Sequence, residues 1–217
     1  MAQELIDKIR AAAQAMNLDP DMAVRIARAE SSLSPTASVS TSTGKGLFGI
    51  LDKTWQEFGG APGKQMDPDE NIRVGTRVIA SNTDYLRKRL GREPSASEVY
   101  AAHFFGPSGA SNFFAASPDT PMEQVLSPRA IKANPVLQGK TAQEVRALLE
   151  KKVGAPAPAA TATTKGESRP TAPEVVEPAL RSGMTASADD LGQGYKAALA
   201  LSFLGADEAD QPEDFVS

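Results

Sequence analysis

The chain has 217 residues, a formal net charge of −4, a single histidine and no cysteine. That length holds one domain of ordinary size plus extra material. The absent cysteine excludes a disulfide framework and a thiolate metal site, and one histidine excludes a His-cluster zinc centre.

The first ten residues, Met1 to Arg10, lack a basic region followed by an apolar one, so no signal peptide is expected there. Leu5, Ile9, Ala12, Ala13 and Met16 instead form a helical stripe. Asp19 to Ser31 reads as a second helix, with Asp19 as N-cap, Pro20 in the first turn and Asp21 at the positive helix end. Its core-facing stripe is Ala23, Ile26, Ala27 and Glu30, so a carboxylate completes an apolar face. Burial there raises the pKa of an acid and keeps a proton available near neutral pH. The alternative is a helix-end Glu turned out to solvent.

Pro35 to Gly46 is a Ser/Thr/Gly-rich loop, and strand signal is limited to a small hairpin near Leu47 to Leu51. Asp52 reads as the cap of a helix starting near Lys53. Asp67-Pro68 with Glu70 opens another helix, whose face carries Ile72, Gly75, Ile79, Asn82 and Leu86. Ser95-Ala96-Ser97-Glu98 is a capping box ahead of Val99, Ala102 and His103, and Gly106-Pro107 stops that helix. Thr141-Ala142-Gln143-Glu144 is a further capping box, followed by apolar Val145, Leu148 and Leu149. No Gly-x-Ser-x-Gly elbow accompanies His103, and Gly44-Lys45-Gly46 lacks the spacing of a phosphate-binding loop.

Composition changes at about Gly154. Ala155 to Thr164 is Pro/Ala/Thr-rich with almost no bulky apolar residue, and residues 155–185 read as an extended linker. Residues 186–217 carry seven acidic side chains against Lys196 alone, and include a candidate amphipathic helix from Ala188 to Leu204. That acidity argues against nucleic acid as the main partner and against stable membrane insertion, and points to a partner protein or to packing back on the domain.

The stretch Glu30-Ser31-Ser32-Leu33-Ser34-Pro35, running into Gly46-Leu47-Phe48-Gly49-Ile50 and then Thr54-Trp55, resembles the core of the lytic transglycosylase family with a goose-type lysozyme-like fold. Asp67-Pro68-Asp69-Glu70-Asn71-Ile72 is similar to that family's acidic-Asn-Ile motif. Tyr100-Ala101-Ala102-His103-Phe104-Phe105-Gly106 is similar to its third motif, in the Ala-His-Phe variant of some phage and bacterial members. The resemblance covers roughly residues 1–153. Two departures stand out: Gly49 where the family has Gln, and His103-Phe104 where it has Tyr-Asn.

The resemblance implies a mainly helical, lysozyme-like domain over 1–154, and composition and periodicity add the flexible 155–185 linker and the C-terminal amphipathic helix in 186–217. It implies cleavage of the MurNAc-GlcNAc β-1,4 bond of peptidoglycan by one acid, Glu30, with the substrate's N-acetyl group assisting and a 1,6-anhydro-muramyl product. Ser31 and Ser40 would bond Glu30 or the acetamido group, or be ordinary turn serines. Leu47 and Phe48 would wall the cleft or belong to the core. Tyr100, His103 and Phe104 would line the opposite wall, although a lone His on such a stripe also suits a core position. No metal or cofactor is implied. Two alternatives remain: a weakened peptidoglycan-binding or structural module, with Gly49 marking lost activity, and a hydrolase using Asp52 to activate water. Carriage in a phage virion, with residues 186–217 bound to virion structural proteins and action in the host periplasm, is the expected setting. The alternative is a bacterial cell-wall enzyme exported by another route.

Overall fold

The computed structural model describes residues 2–38 and 43–153. Ser40, the linker and the acidic tail lie outside the described residues. Within them the fold is helical: α1 (Ala2–Ala15), α2 (Pro20–Ser31), α3 (Asp52–Glu57), α4 (Pro68–Leu90), α5 (Ala96–Ala115), α6 (Met122–Val125), α7 (Pro128–Ala133), a 3-10 turn (Pro135–Leu137) and α8 (Ala142–Val153). None of these helices is long and apolar enough to cross a membrane.

The stripe of α1 differs from expectation at its end. Ile6, Ile9 and Ala13 are buried, while Met16 is exposed. The helix ends at Ala15 because Asn17 takes a left-handed conformation (φ 55), and Leu18 rather than Met16 returns to the core. The start of α2 follows the expected chemistry. The Asp19 carboxylate accepts from the Asp21 N–H at 2.9 Å, and Pro20 needs no donor there. Arg10 donates twice to Asp21, at 2.8 and 3.1 Å, and joins α1 to α2.

The central element is α5, whose first ten residues are buried on all sides. Its capping box is complete: Ser95 Oγ accepts from the Glu98 N–H, and the Glu98 carboxylate accepts from the Ser95 N–H. Gly106 (φ 75, ψ 160) breaks the helical path, and Pro107 opens a second run to Ala115. The expected stop is therefore a kink between two helical runs. Around α5 pack α4, α8, α2 and α6, and α1 lies across α2 and α4.

The expected small hairpin appears as a tight loop. Lys45 and Ile50 exchange both backbone hydrogen bonds, at 3.2 and 3.1 Å, and enclose Gly46 to Gly49. Strand structure among the described residues is confined to isolated bridges.

Candidate active site

Glu30 occupies the last turn of α2, on the face it shares with buried Ala23, Ile26 and Ala27. Its side chain is only 3% exposed. Burial pushes the carboxyl up to about 7, against the pull of the Tyr100 hydroxyl and the Lys152 charge. Oε1 is buried and has no partner at full hydrogen-bond geometry among the described residues, and the same holds for the Tyr100 hydroxyl that faces it. The chain leaves Glu30 through two left-handed residues, Ser32 (φ 53) and Leu33 (φ 64), which turn it sharply away from the helix axis.

The loop 45–50 packs against this acid. Asn71, wholly buried on α4, holds the loop by two bonds and ties it to Gln65 by a third. Its Oδ1 accepts from the Phe48 N–H at 3.0 Å, and its Nδ2 donates to the carbonyls of Lys45 (3.2 Å) and Gln65 (2.7 Å). The Phe48 ring fills the space over Gly75, where a Cβ would stand 2.3 Å from it. Ser31 Oγ bridges to the carbonyls of Ala27 (3.1 Å) and Leu47 (2.9 Å), tying the acid-bearing turn to the loop. Gly49 then lies against Glu30 itself: at φ +56, a Cβ would stand 2.7 Å from Glu30 Oε2.

From α5, His103 Nε2 stands 3.8 Å from Glu30 Oε1. Burial pushes His103 down to about 4, opposed by a backbone hydrogen bond with Phe48. Imidazole and carboxyl are thus both neutral near pH 6, a consequence of shared desolvation.

Several expected contacts are redirected. Leu47, Phe48 and Tyr100 are wholly buried and Phe104 nearly so, with the Phe104 ring 4.7 Å from Phe105. As placed, these four are core rather than cleft surface, because the loop and α5 pack face to face. Ser31 hydrogen-bonds backbone carbonyls instead of Glu30. Asp52 is not a cap: α3 begins at Asp52, and the cap position is Leu51. A 2.6 Å hydrogen bond from Gln65, followed by the nearby Lys45 charge, holds the Asp52 carboxyl below its ordinary range. A cavity of about 500 Å³ beside α7, lined by Glu123, Ile131, Lys132 and Pro135 among others, contains none of the residues around Glu30.

Two residues around the acid were not named as site residues by the motifs. Asn71 lies within a recognised motif, but its loop-holding role needs the tertiary contact. Lys152 lies outside every motif, although its place seven residues after Val145 and three after Leu149 puts it on the apolar face of α8.

The described residues form a helical domain with a buried acid on a helix end, against a glycine-containing loop and a kinked central helix, an arrangement consistent with a lysozyme-like domain. Residues 7–118 match the transglycosylase SLT domain, a span of just over half the chain. The protein belongs to that family, whose members are in general lytic transglycosylases acting on peptidoglycan.

Proposed function

We propose that the protein cleaves the MurNAc-GlcNAc β-1,4 bond of peptidoglycan by transglycosylation, with Glu30 as its one catalytic carboxyl. The observation that carries this reading is the Glu30 carboxyl that closes the buried face of α2 and is raised to about 7, with Tyr100 and Lys152, not a carboxylate, as the groups acting on it among the described residues. Glycosidases that work through protein groups alone flank the scissile bond with two carboxylates. Here Asp52 is engaged by Gln65 and Lys45. The second group then comes from the substrate.

Glu30 donates its proton to the glycosidic oxygen as the C1–O bond breaks. The muramyl N-acetyl oxygen shares the positive charge developing at C1. The Glu30 carboxylate next takes the proton of the muramyl 6-hydroxyl, whose oxygen closes on C1 to give the 1,6-anhydro ring. The acid ends the cycle protonated, as it began. A carboxyl titrating near 7 serves both half-reactions, because neither protonation state is far from reach. With so little of Glu30 exposed, glycan entry displaces part of what covers it.

Mass spectrometry of products from purified peptidoglycan tests this reading. Anhydro-muropeptides from wild type and none from Glu30→Gln are expected. Reducing-end products would instead favour hydrolysis, and no cleavage would favour a binding module. Carriage in a phage particle belongs to the same proposal. It is supported by the Ala-His-Phe resemblance and by the acidic segment beyond the Pro/Ala/Thr stretch. Detection of the chain in purified particles tests it, and detection only in the lysate of infected cells would refute it.

A further inference from the structure

Helix α8 lies beyond the span of the family match, yet it packs on both α2, which carries Glu30, and α5. Val145, Leu149 and Val153 are its buried stripe. Lys152 falls on the same face by helical spacing and is half-buried. The seat of α8 is well determined. Arg146 Nη2 donates to the carbonyls of Phe113, Phe114 and Ala116, at 3.0, 3.3 and 2.8 Å, and so holds the end of α5. Its guanidinium also lies 5.5 Å from the Phe113 ring centre. The Thr141–Glu144 capping box sets where the helix starts. Helices α2 and α8 thus pack together, and the buried face of each carries one ionisable residue of opposite kind: Glu30 on α2 and Lys152 on α8.

We propose that Lys152 is a positioning residue of the Glu30 site, its ammonium sustaining the carboxylate that Glu30 becomes after giving up its proton. The proposal rests on the acid role assigned to Glu30 above. From α5 come Tyr100 and His103, from α8 comes Lys152, and the loop presents Gly49, which has no side chain. Tyr100 can offer a hydroxyl, and His103 is neutral at the pH where Glu30 titrates. Of these groups Lys152 brings the positive charge. A buried carboxylate whose Oε1 has no partner at full hydrogen-bond geometry among the described residues is stabilised by a cation on the neighbouring helix, even a half-buried one. The interaction is reciprocal: burial lowers the Lys152 pKa, and Glu30 opposes that fall.

The test uses the full chain with 13C-labelled glutamate carboxyls, titrated by NMR in Lys152→Met and Lys152→Arg. Methionine suits an apolar stripe, so Lys152→Met is expected to keep the native circular dichroism. It should move the Glu30 titration to higher pH, lowering the carboxylate fraction at a fixed pH below the midpoint by about threefold or more, half a pH unit. Lys152→Arg should restore the wild-type midpoint. The alkaline limb of kcat against pH should move with the titration in Lys152→Met. A folded Lys152→Met with an unmoved Glu30 midpoint overturns the proposal, as does lost activity without a change in the pH profile. The titration is read without substrate. If Glu30→Gln kept full activity, the acid assignment would fall while the Lys152 result stood by itself.

Discussion

Replacing Glu30 by Gln should stabilise the fold while removing the activity, and the gain should depend on pH. The carboxyl is raised from an ordinary 4.5 to about 7. At roughly 1.4 kcal/mol per pH unit, that difference corresponds to about 3 kcal/mol. Below pH 4.5 the acid is protonated in both folded and unfolded chains, and it costs nothing. As pH rises toward 7 the unfolded chain ionises while the folded one keeps its proton, so stability is lost across that window. Gln carries no such loss. His103 acts in the opposite sense: lowered from 6.5 to about 4, it costs stability as pH falls through that range. In the wild type the two slopes offset each other between about pH 4.5 and 6.5. In Glu30→Gln only the His103 slope remains, so stability should climb with pH where the wild type is flat. Urea unfolding at about pH 4, 5.5, 7 and 8 reads this directly. The variant should match the wild type at the acid end and exceed it by about 3 kcal/mol at pH 8, on the order of 6–12 °C in Tm. Turbidity clearing of purified cell walls should fall about a hundredfold or more, the loss expected for a general acid. Parallel stability curves for the two proteins would refute the buried-acid argument, whatever happened to activity.

Three further outcomes follow from the same packing. Gly49→Ala forces a side chain into a left-handed conformation and against Glu30 Oε2, so it should cost about 1–2 kcal/mol from the backbone alone and lower kcat; Gly49→Gln should not raise activity, as steady-state kinetics on soluble glycan strands would show. Asn71→Ala leaves the Phe48 N–H and the Gln65 carbonyl without their partner and removes one of the two donors to the Lys45 carbonyl, so thermal unfolding should report a loss of about 2–4 kcal/mol and activity should fall with the loop. Truncation after Gly154 should leave specific activity on isolated walls within a few-fold, whereas truncation after Pro118 strips α8 from α2 and α5 and should abolish the native circular dichroism.

Local signals carried much of this architecture. Asp19-Pro20, Asp67-Pro68 and the boxes at Ser95 and Thr141 each mark a helix start through a side chain that satisfies an exposed N–H, a bond requiring only near neighbours. The stripe ending in Glu30 was legible for the same reason, since 3.6-residue spacing decides which side chains share a face. What escaped the sequence depends on partners distant along the chain. Whether Phe48 walls a cleft or enters the core is decided by Gly75, which leaves room for a ring from a loop more than twenty residues away. Asp52 looked like a cap because it precedes a helix, but Gln65 and Lys45 engage its carboxylate.

Gly49 shows why a departure from a family pattern need not be a loss. Read as a missing Gln, it removes a donor to the glycan. In the folded chain it is the residue against which Glu30 lies, at a φ that favours glycine and in a space that excludes a Cβ. A side chain at position 49 would strain the backbone at φ +56 and oblige the Glu30 carboxyl to shift from its place. Burial is what raises the acid toward neutrality, so this glycine contributes to the property on which the proposed chemistry depends. The charge that balances such an acid must come from another element, and α8 brings Lys152 to it. A glycine that permits burial and a lysine that limits its cost would act on the same carboxyl from opposite directions, holding it near 7, where it can both give up a proton and take one back.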